Sequence, residues 1–420
     1  MMRNFSVITF LIAIALFTKG TINLLKDFDI LPRIPYVENL DVVIVVFLQI
    51  FFSISAWVKR GKRSVASIAL SRSRYELITL AFLYIFAVLS LLYSYKPIST
   101  VKGIVWFTAG MLMFPLTLIY ATNDVRKLLY QLMLLSGWVS GFSLLLFMVR
   151  SGIGPPPMRL RGIFPHPINA GNYFITFASA GLVLYFSKIS WTLKEKRYIL
   201  YALLLDLLAL IFARSRNTWI VGIIGLIFIS FTPVFSISGR KKILLTVMIT
   251  LILIILGIMS SQTFRFFLRA SNNEMVSIVY RFQVWRFSLE WLWKHPLRGT
   301  GLLAFSSIPD RLLPSYLSFK FPHSHNYFLS LATEIGIHAL LVFVVFLTLL
   351  ASRIKSNFKV FKSSYELWIV NAAVGFSLFV LVFSQFFDSI LRNDYRIAMV
   401  FYALSGMIFA IGRMNEREIR

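Results

Sequence analysis

Apolar runs long enough to cross a bilayer recur along the whole chain, separated by short polar connections. Their limits predict twelve membrane spans, at 7–25, 41–58, 76–95, 100–121, 128–149, 168–187, 198–213, 217–235, 243–261, 326–350, 367–387 and 395–412. The predicted fold is all-α, a single polytopic membrane domain over 1–420, without internal repeat, coiled-coil pattern or low-complexity linker. One polar stretch, 262–325, is too long for a simple turn. It is expected to form a large extracytoplasmic loop within that domain and to contain amphipathic helical segments. Phe282, Trp285, Leu289 and Trp293 make one apolar face there, suited to lie at the membrane surface.

Composition agrees with that pattern. Of 420 residues, 58% are hydrophobic and 14% charged, against roughly 25% charged in an ordinary soluble domain. The formal charge of +26 does not make this a nucleic-acid binder, because no separate domain carries a basic face. The cations sit instead in alternate connections. Lys59, Arg60, Lys62, Arg63, Arg72 and Arg74 mark one; Arg126 and Lys127 a second; Lys188, Lys194, Lys196 and Arg197 a third. Arg240, Lys241 and Lys242, then Arg353, Lys355, Lys359 and Lys362, mark two more. With twelve spans all five fall on the cytoplasmic side with both termini, as the positive-inside rule requires. The connection 26–40 carries Asp27, Asp29 and Glu38 and belongs outside. The first run, preceded by Arg3, lacks a small-residue cleavage pattern and reads as a retained span. The absence of cysteine excludes disulfides and thiolate chemistry.

This orientation gathers the unusual polar sequence on the extracytoplasmic face. The first group is Arg159-Leu160-Arg161-Gly162-Ile163-Phe164-Pro165-His166-Pro167-Ile168-Asn169-Ala170-Gly171-Asn172, after a stiff Pro155-Pro156-Pro157. It is either a rigid loop ending in a helix cap or part of a site in which Arg161 and His166 meet substrate. The second is Arg214-Ser215-Arg216, squeezed between two spans. Its guanidinium groups either snorkel to lipid phosphate or donate forks of hydrogen bonds to a phosphate or diphosphate, Arg216 above all. The third runs from Tyr280 to His325. Arg281 and Arg286 are its candidate anion binders, Arg281 favoured, and Pro322-His323-Ser324-His325-Asn326 closes it. A histidine there suits proton abstraction from a sugar hydroxyl. His323 is its polar support, Asn326 an orienting or sugar-binding group, and Glu334 a tautomer holder if the fold brings it close. No compact histidine–carboxylate cluster is evident, so no metal and no cofactor is expected.

Cationic forks beside one candidate base, without the paired carboxylates of a glycosidase, fit displacement of an activated leaving group such as a lipid-linked diphosphate. A lipid-linked glycan transporter would instead want broken helices at mid-bilayer and an inverted repeat. A structural membrane partner would not need the ordered Arg–Arg–His series.

Arg161-Gly162 with His166-Pro167, the Ser215-Arg216 junction, Arg281 with Trp285, Pro296, Gly299 and Gly301, and His325-Asn326 before Gly336 together resemble the O-antigen ligase and polymerase superfamily of bacterial envelope enzymes. The resemblance implies an inverting, metal-independent glycosyltransferase of the inner membrane. It would move a glycan from undecaprenyl diphosphate to a hydroxyl acceptor, lipid A–core in a ligase or another glycan in a repeat-unit polymerase. His325 then resembles the catalytic base, Arg216 and Arg281 the diphosphate-binding arginines, and Arg161, His166, Arg214, Arg286, His323 and Asn326 their substrate-binding surroundings. Gly336-Ile337-His338-Ala339-Leu340 departs from the ligase pattern by lacking its second small glycine position.

Overall fold

The computed structural model describes residues 6–27, 39–60, 71, 73–121, 124–153, 159–230, 241, 279–317, 321–360 and 364–418. Helices make up most of the described residues. In order, the helices are α1 (Val7–Asp27), α2 (Leu40–Arg60), α3 (Arg74–Leu89), α4 (Pro97–Met111), α5 (Met113–Tyr120), α6 (Val125–Ile153), α7 (Pro167–Phe186), α8 (Leu193–Ala213) and α9 (Arg216–Ser230). After α10 at 279–294 come α11 (Tyr327–Glu334), α12 (Ile337–Val360), α13 (Tyr365–Ser384), the short α14 (Ile390–Asn393) and α15 (Tyr395–Glu418).

Local sequence explains several boundaries. Pro97 and Pro167 occupy first-turn positions, where a missing N–H costs nothing. Thr192 and Glu195 close a capping box on α8. α7 and α15 form the centre of the bundle. Every residue of α7 from Asn169 to Leu184, and every residue from Asp394 to Ile411, is buried. α7 packs against α8, α13, α9 and α6, and α15 against α5, α4, α12 and α13.

The twelve-span expectation is corrected. Among the described residues six helices are long and apolar enough to cross a membrane: Arg74–Tyr93, Pro97–Tyr120, Val125–Arg150, Ile337–Lys359, Tyr365–Ser384 and Tyr395–Gly412. Apolar helices at Val7–Ile22, Leu40–Ser55 and Asn217–Ile227 are shorter. The runs 168–187 and 198–213 do form helices, but polar residues interrupt their apolar character. α7 buries Asn169, Asn172, Thr176 and Ser179 inside the bundle, and α8 opens on Lys194, Glu195, Lys196 and Arg197 and buries Asp206. A helix enclosed by other helices satisfies such groups internally and need not be apolar all round. The expected span 243–261, Pro155-Pro156-Pro157, and most of 26–40 lie outside the described residues.

The predicted span 326–350 is not one helix. Gly336, at φ +130°, separates α11 from α12, and rings of Tyr327 and Phe328 lie 5.2 and 6.1 Å from that of Phe343. α11 therefore folds back beside α12. Backbone pairing holds the hairpin tip: Thr300 N donates to Thr333 O at 2.9 Å, Gly301 N to Glu334 O at 2.9 Å, and Ile337 N to Pro296 O at 2.8 Å. The approach is so close that a Cβ on Gly299 would stand 2.2 Å from Glu334 O, which is why glycine occurs there.

The large amphipathic loop expected at 262–325 is likewise not distinguished. Its described part is the single helix α10 followed by turns and short 3₁₀ segments. Val284, Phe287 and Trp291 of α10 pack on Phe305, Ile308 and Phe321 to make a small separate core. Trp291 also meets Tyr95, in the turn joining the spans of α3 and α4, at 6.0 Å.

Candidate functional site

The floor of the site is residues 385–394, between α13 and α15. Gln385 ties it to the Pro-His-Ser-His-Asn run, since its carbonyl accepts from Tyr327 N at 2.9 Å. Asn326 caps α11, its Oδ1 accepting from Leu329 N at 3.1 Å, while its Nδ2 donates to Phe386 O at 3.1 Å. Both ends of the Asn326 amide are thereby committed to holding the backbone. Ser324, Ser330 and Ser389 continue the seam, with consecutive Oγ atoms 2.8 Å apart.

This seam brings Asp388 beneath both histidines. Its Oδ1 lies 3.2 Å from His323 Nε2 and 3.7 Å from His325 Nδ1, and accepts from Ser389 N at 2.7 Å. The imidazoles are 4.2 Å apart. His325 is held at φ +52°, a left-handed conformation that histidine adopts more readily than most side chains. His325 Nδ1 is buried and makes no hydrogen bond. His323, Asp388 and His325 thus form a compact cluster, correcting the expectation that the extracytoplasmic sequence offered none. Asn393 Nδ2 also approaches His323 Nε2, at 3.1 Å.

Glu334 does not hold a histidine tautomer. Its carboxylate pairs with Arg392 at 2.5 Å and accepts from Leu303 N at 2.9 Å, both charged side chains being almost wholly buried. Asp388 holds the place anticipated for it. Asp388, Arg392, Asn393 and Asp394 were missed in the sequence, although 388–394 is the polar interval between two predicted spans and falls on the extracytoplasmic side in the twelve-span topology. The interval was legible; its pairing with His323, 65 positions earlier, was not.

The first polar group joins the second through the backbone. Leu160 N donates to Phe212 O at 2.8 Å and Arg159 Nε to Ala213 O at 3.2 Å, setting Arg161 beside the Arg214-Ser215-Arg216 junction. Arg214 ends α8 at φ +47° and is exposed. Arg216 begins α9. A Cβ on Gly171 would come 2.8 Å from Thr218 Oγ1, so α7 and α9 start in contact. Asn217 Nδ2 reaches Ser384 O at 3.5 Å, tying the junction to the floor.

The Arg161–His166 segment rests on a buried ion pair. Arg396 and Asp394 meet at 2.7 Å with side chains 1% and 3% exposed. Arg396 also donates to Ile163 O at 3.2 Å and lies 5.0 Å from the centre of the Phe164 ring, while Asp394 accepts from Asn169 Nδ2 at 3.0 Å. His166 caps α7, its Nδ1 accepting from Ile168 N at 3.2 Å. Part of its ring reaches solvent, yet protein packed around it, then Arg159 and Arg161, push its imidazole below the ordinary value, against the opposing pull of Asp388. Those charges place His166 in the electrostatic neighbourhood of His325 and Asp388.

α10 is connected to the cluster by rings. Tyr280 meets Phe321 at 6.1 Å, and Phe321 meets His325 at 6.4 Å. Arg281, adjoining Tyr280, is half-buried. Arg286 is committed elsewhere, paired with Glu290 at 2.8 Å and stacked on Tyr316 at 4.6 Å.

Burial pushes His323 down to about 4, against the raising effect of its hydrogen bond to Asp388. Burial would raise Asp388, but the two imidazoles outweigh it and hold the carboxyl well below the carboxylate range. An unfolded His323 takes up its proton near pH 6.5, whereas the folded one resists until about 4. Its contribution to stability is complete above pH 6.5 and is lost as pH falls from 6.5 toward 4; Asp388 adds its own loss only below its unfolded value of 3.8. Thermal unfolding at pH 7, 5.5 and 4 is expected to show a loss on the order of 3 kcal/mol across that window, and His323→Gln to flatten it. A wild-type midpoint unchanged between pH 7 and 4 contradicts this.

No curated protein matches the chain. Residues 201–344, which carry Arg214, Arg216, Arg281, His323 and His325, match the family model described as O-antigen ligase (Wzy_C). The matched segment is about a third of the chain, which over that segment is similar to this family.

Proposed function

We propose that the protein is an inverting glycosyltransferase that moves a glycan from a polyprenyl-diphosphate donor, undecaprenyl diphosphate in bacteria, to a hydroxyl acceptor such as lipid A–core. The observation that carries this reading is the His325 imidazole, one nitrogen buried and unpartnered beside Asp388. His325 takes the acceptor's proton as the acceptor oxygen bonds to the anomeric carbon of the donor sugar. The bond from that carbon to the diphosphate breaks, and both its electrons leave on the phosphate oxygen. Arg216 and Arg281, with Arg161 and Arg214 nearby, are the cations to receive that charge. The Asp388 carboxylate favours the imidazolium that forms, by the logic of a base backed by a buried acid. Neither histidine is assigned to a metal, and transfer is expected to survive a chelator. We place the site on the periplasmic or outer face of the inner membrane and both termini in the cytoplasm, in keeping with the charge alternation of the connections.

Arg281→Ala is expected to raise the donor KM about 10–100-fold, the effect of losing a charge-assisted hydrogen bond. Arg286→Ala should stay within about twofold, because its exposed pair with Glu290 contributes little. Equal effects of the two substitutions in a donor titration contradict the assignment. The overall reading is tested by the mass of the product formed from a defined lipid-diphosphate glycan and purified acceptors. One glycan added to lipid A–core supports the ligase reading, a repeat-unit ladder on polyprenyl diphosphate replaces it with a polymerase, and movement of intact donor across the bilayer without a new bond overturns it.

A further inference from the structure

Three ligand-type atoms converge over the 385–394 floor. His323 Nε2 and His325 Nδ1 stand 3.2 and 3.7 Å from Asp388 Oδ1, and all three atoms lie within 4.8 Å of one another. Around a tetrahedral zinc ion with bonds of about 2.0–2.1 Å, neighbouring ligand atoms stand about 3.3–3.4 Å apart. Both spacings to Asp388 are within about 0.4 Å of that value. The backbone under the histidines is tied down. Ser324, between them, donates to Asn326 O at 2.8 Å, and Ser389 N holds Asp388 Oδ1 at 2.7 Å. Two imidazoles and a carboxylate suit borderline ions such as Zn²⁺ or Co²⁺ better than Ca²⁺ or Mg²⁺, which ask for more oxygens. His325, with its side chain 25% exposed, gives the cluster access to solvent and room for a water as fourth ligand.

Hydrogen bonding leaves these atoms incompletely used. His325 Nδ1 is buried and makes no hydrogen bond. His323 Nε2 lies between a donor, Asn393 Nδ2 at 3.1 Å, and an acceptor, Asp388 Oδ1 at 3.2 Å. Arg392 fixes that amide by donating to Asn393 Oδ1 at 2.7 Å, so its N–H end faces the imidazole. A neutral ring nitrogen either donates or accepts, so one of the two contacts stays unmatched in each tautomer. A cation bound by Nε2, Nδ1 and Oδ1 takes up an electron pair from each, and the carboxylate oxygen keeps a second pair for Ser389 N. Asn393 then loses its acceptor, the same mismatch that the Nε2–H tautomer already carries. We propose that His323, His325 and Asp388 form a three-ligand site for a divalent transition-metal ion such as Zn²⁺, and that filling it inhibits transfer. The site stands on geometry; the inhibition rests on the glycosyltransferase reading above, in which the transfer step itself is assigned no metal. The ion occupies the His325 nitrogen facing Asp388 and neutralises the carboxylate, so the imidazolium formed on proton abstraction loses its support.

The test uses the full chain in zwitterionic lipid nanodiscs, purified through a tag without histidine and stripped with a chelator. Titration with Co²⁺ is expected to give one ion per chain and the visible absorption bands of four- or five-coordinate cobalt, which Zn²⁺ abolishes by displacement. His323→Gln and Asp388→Asn each remove a ligand and are expected to weaken Zn²⁺ binding more than about 100-fold, beyond the usual loss from an outer-shell change. His295→Gln, which alters a histidine stacked on Trp291 outside the cluster, should leave binding unchanged. The wild-type cobalt spectrum and stoichiometry decide the matter should the ligand variants misfold. Absence of those bands, or Zn²⁺ binding that is equal in wild type and folded ligand variants, overturns the site. Transfer assayed in parallel separates the two readings. Inhibition that follows Zn²⁺ occupancy and is reversed by a chelator supports both, and undiminished transfer at full occupancy overturns the inhibition. Metal binding by a protein that transfers no glycan even when metal-free removes the transferase and keeps the site.

Discussion

His325→Ala is expected to lower glycan transfer about 10²–10⁴-fold, the usual contribution of a positioned general base, while donor binding stays within a few-fold of wild type. The asymmetry follows from position. His325 belongs to the cluster over Asp388, and the arginines assigned to the diphosphate come from the α8–α9 junction and α10. Two controls separate lost chemistry from lost structure. His325→Asn keeps a residue that tolerates φ +52° but has no basic nitrogen, and should match the alanine variant in kcat. Asp388→Asn leaves the imidazoles in place, removes the charge that favours imidazolium, and should reduce kcat with a shifted pH–rate profile. Transfer at the wild-type rate by both His325 variants would assign the proton to another group.

Arg396→Leu should be the most destabilising single substitution in the region, by about 3–5 kcal/mol. Arg396 and Asp394 are both almost wholly buried, so deleting the guanidinium strands a carboxylate among apolar helices, where, among the described residues, Asn169 and the N-terminal backbone of α15 still hydrogen-bond it. The loss extends to the site, because Ile163 O loses its donor and Phe164 its cation. The informative comparison is Asp394→Asn combined with Arg396→Leu. Asparagine still caps a helix and carries no charge to strand, so the pair should recover much of the stability lost by the single variant. Thermal unfolding in detergent measures both. A single variant within about 1 kcal/mol of wild type would mean that the pair is not buried as described.

Legibility in the sequence followed the range of the interaction. Runs of apolar residues announced a helical membrane protein, since bilayer crossing is written locally in length and hydropathy. The same criterion over-counted spans where helices are enclosed by protein: α7 carries four buried polar residues that lipid would not tolerate. It also merged α11 and α12, because a hydrophobic profile runs unbroken through Gly336 while the backbone turns there. At the site, the Arg161 segment, the Arg214–Arg216 junction and the histidine run stood out as polar sequence where membrane crossing asks for none. Glu334 was considered as the histidine's acid because it is near in sequence; Asp388 takes the place because the chain returns to it after α12 and α13.

The sequence by itself determined the class of protein, the residues available for proton transfer and anion binding, and the absence of thiol chemistry. These depend on side-chain chemistry and on patterns a few residues long. Only the tertiary structure decided that α11 folds back to hold His325 over the 385–394 floor, that Asp388 rather than Glu334 meets the imidazoles, and that Arg286 is spent on Glu290. Each of those outcomes is a choice among partners far apart in the chain, settled by which pairing leaves the fewest buried charges and hydrogen-bonding groups unmet.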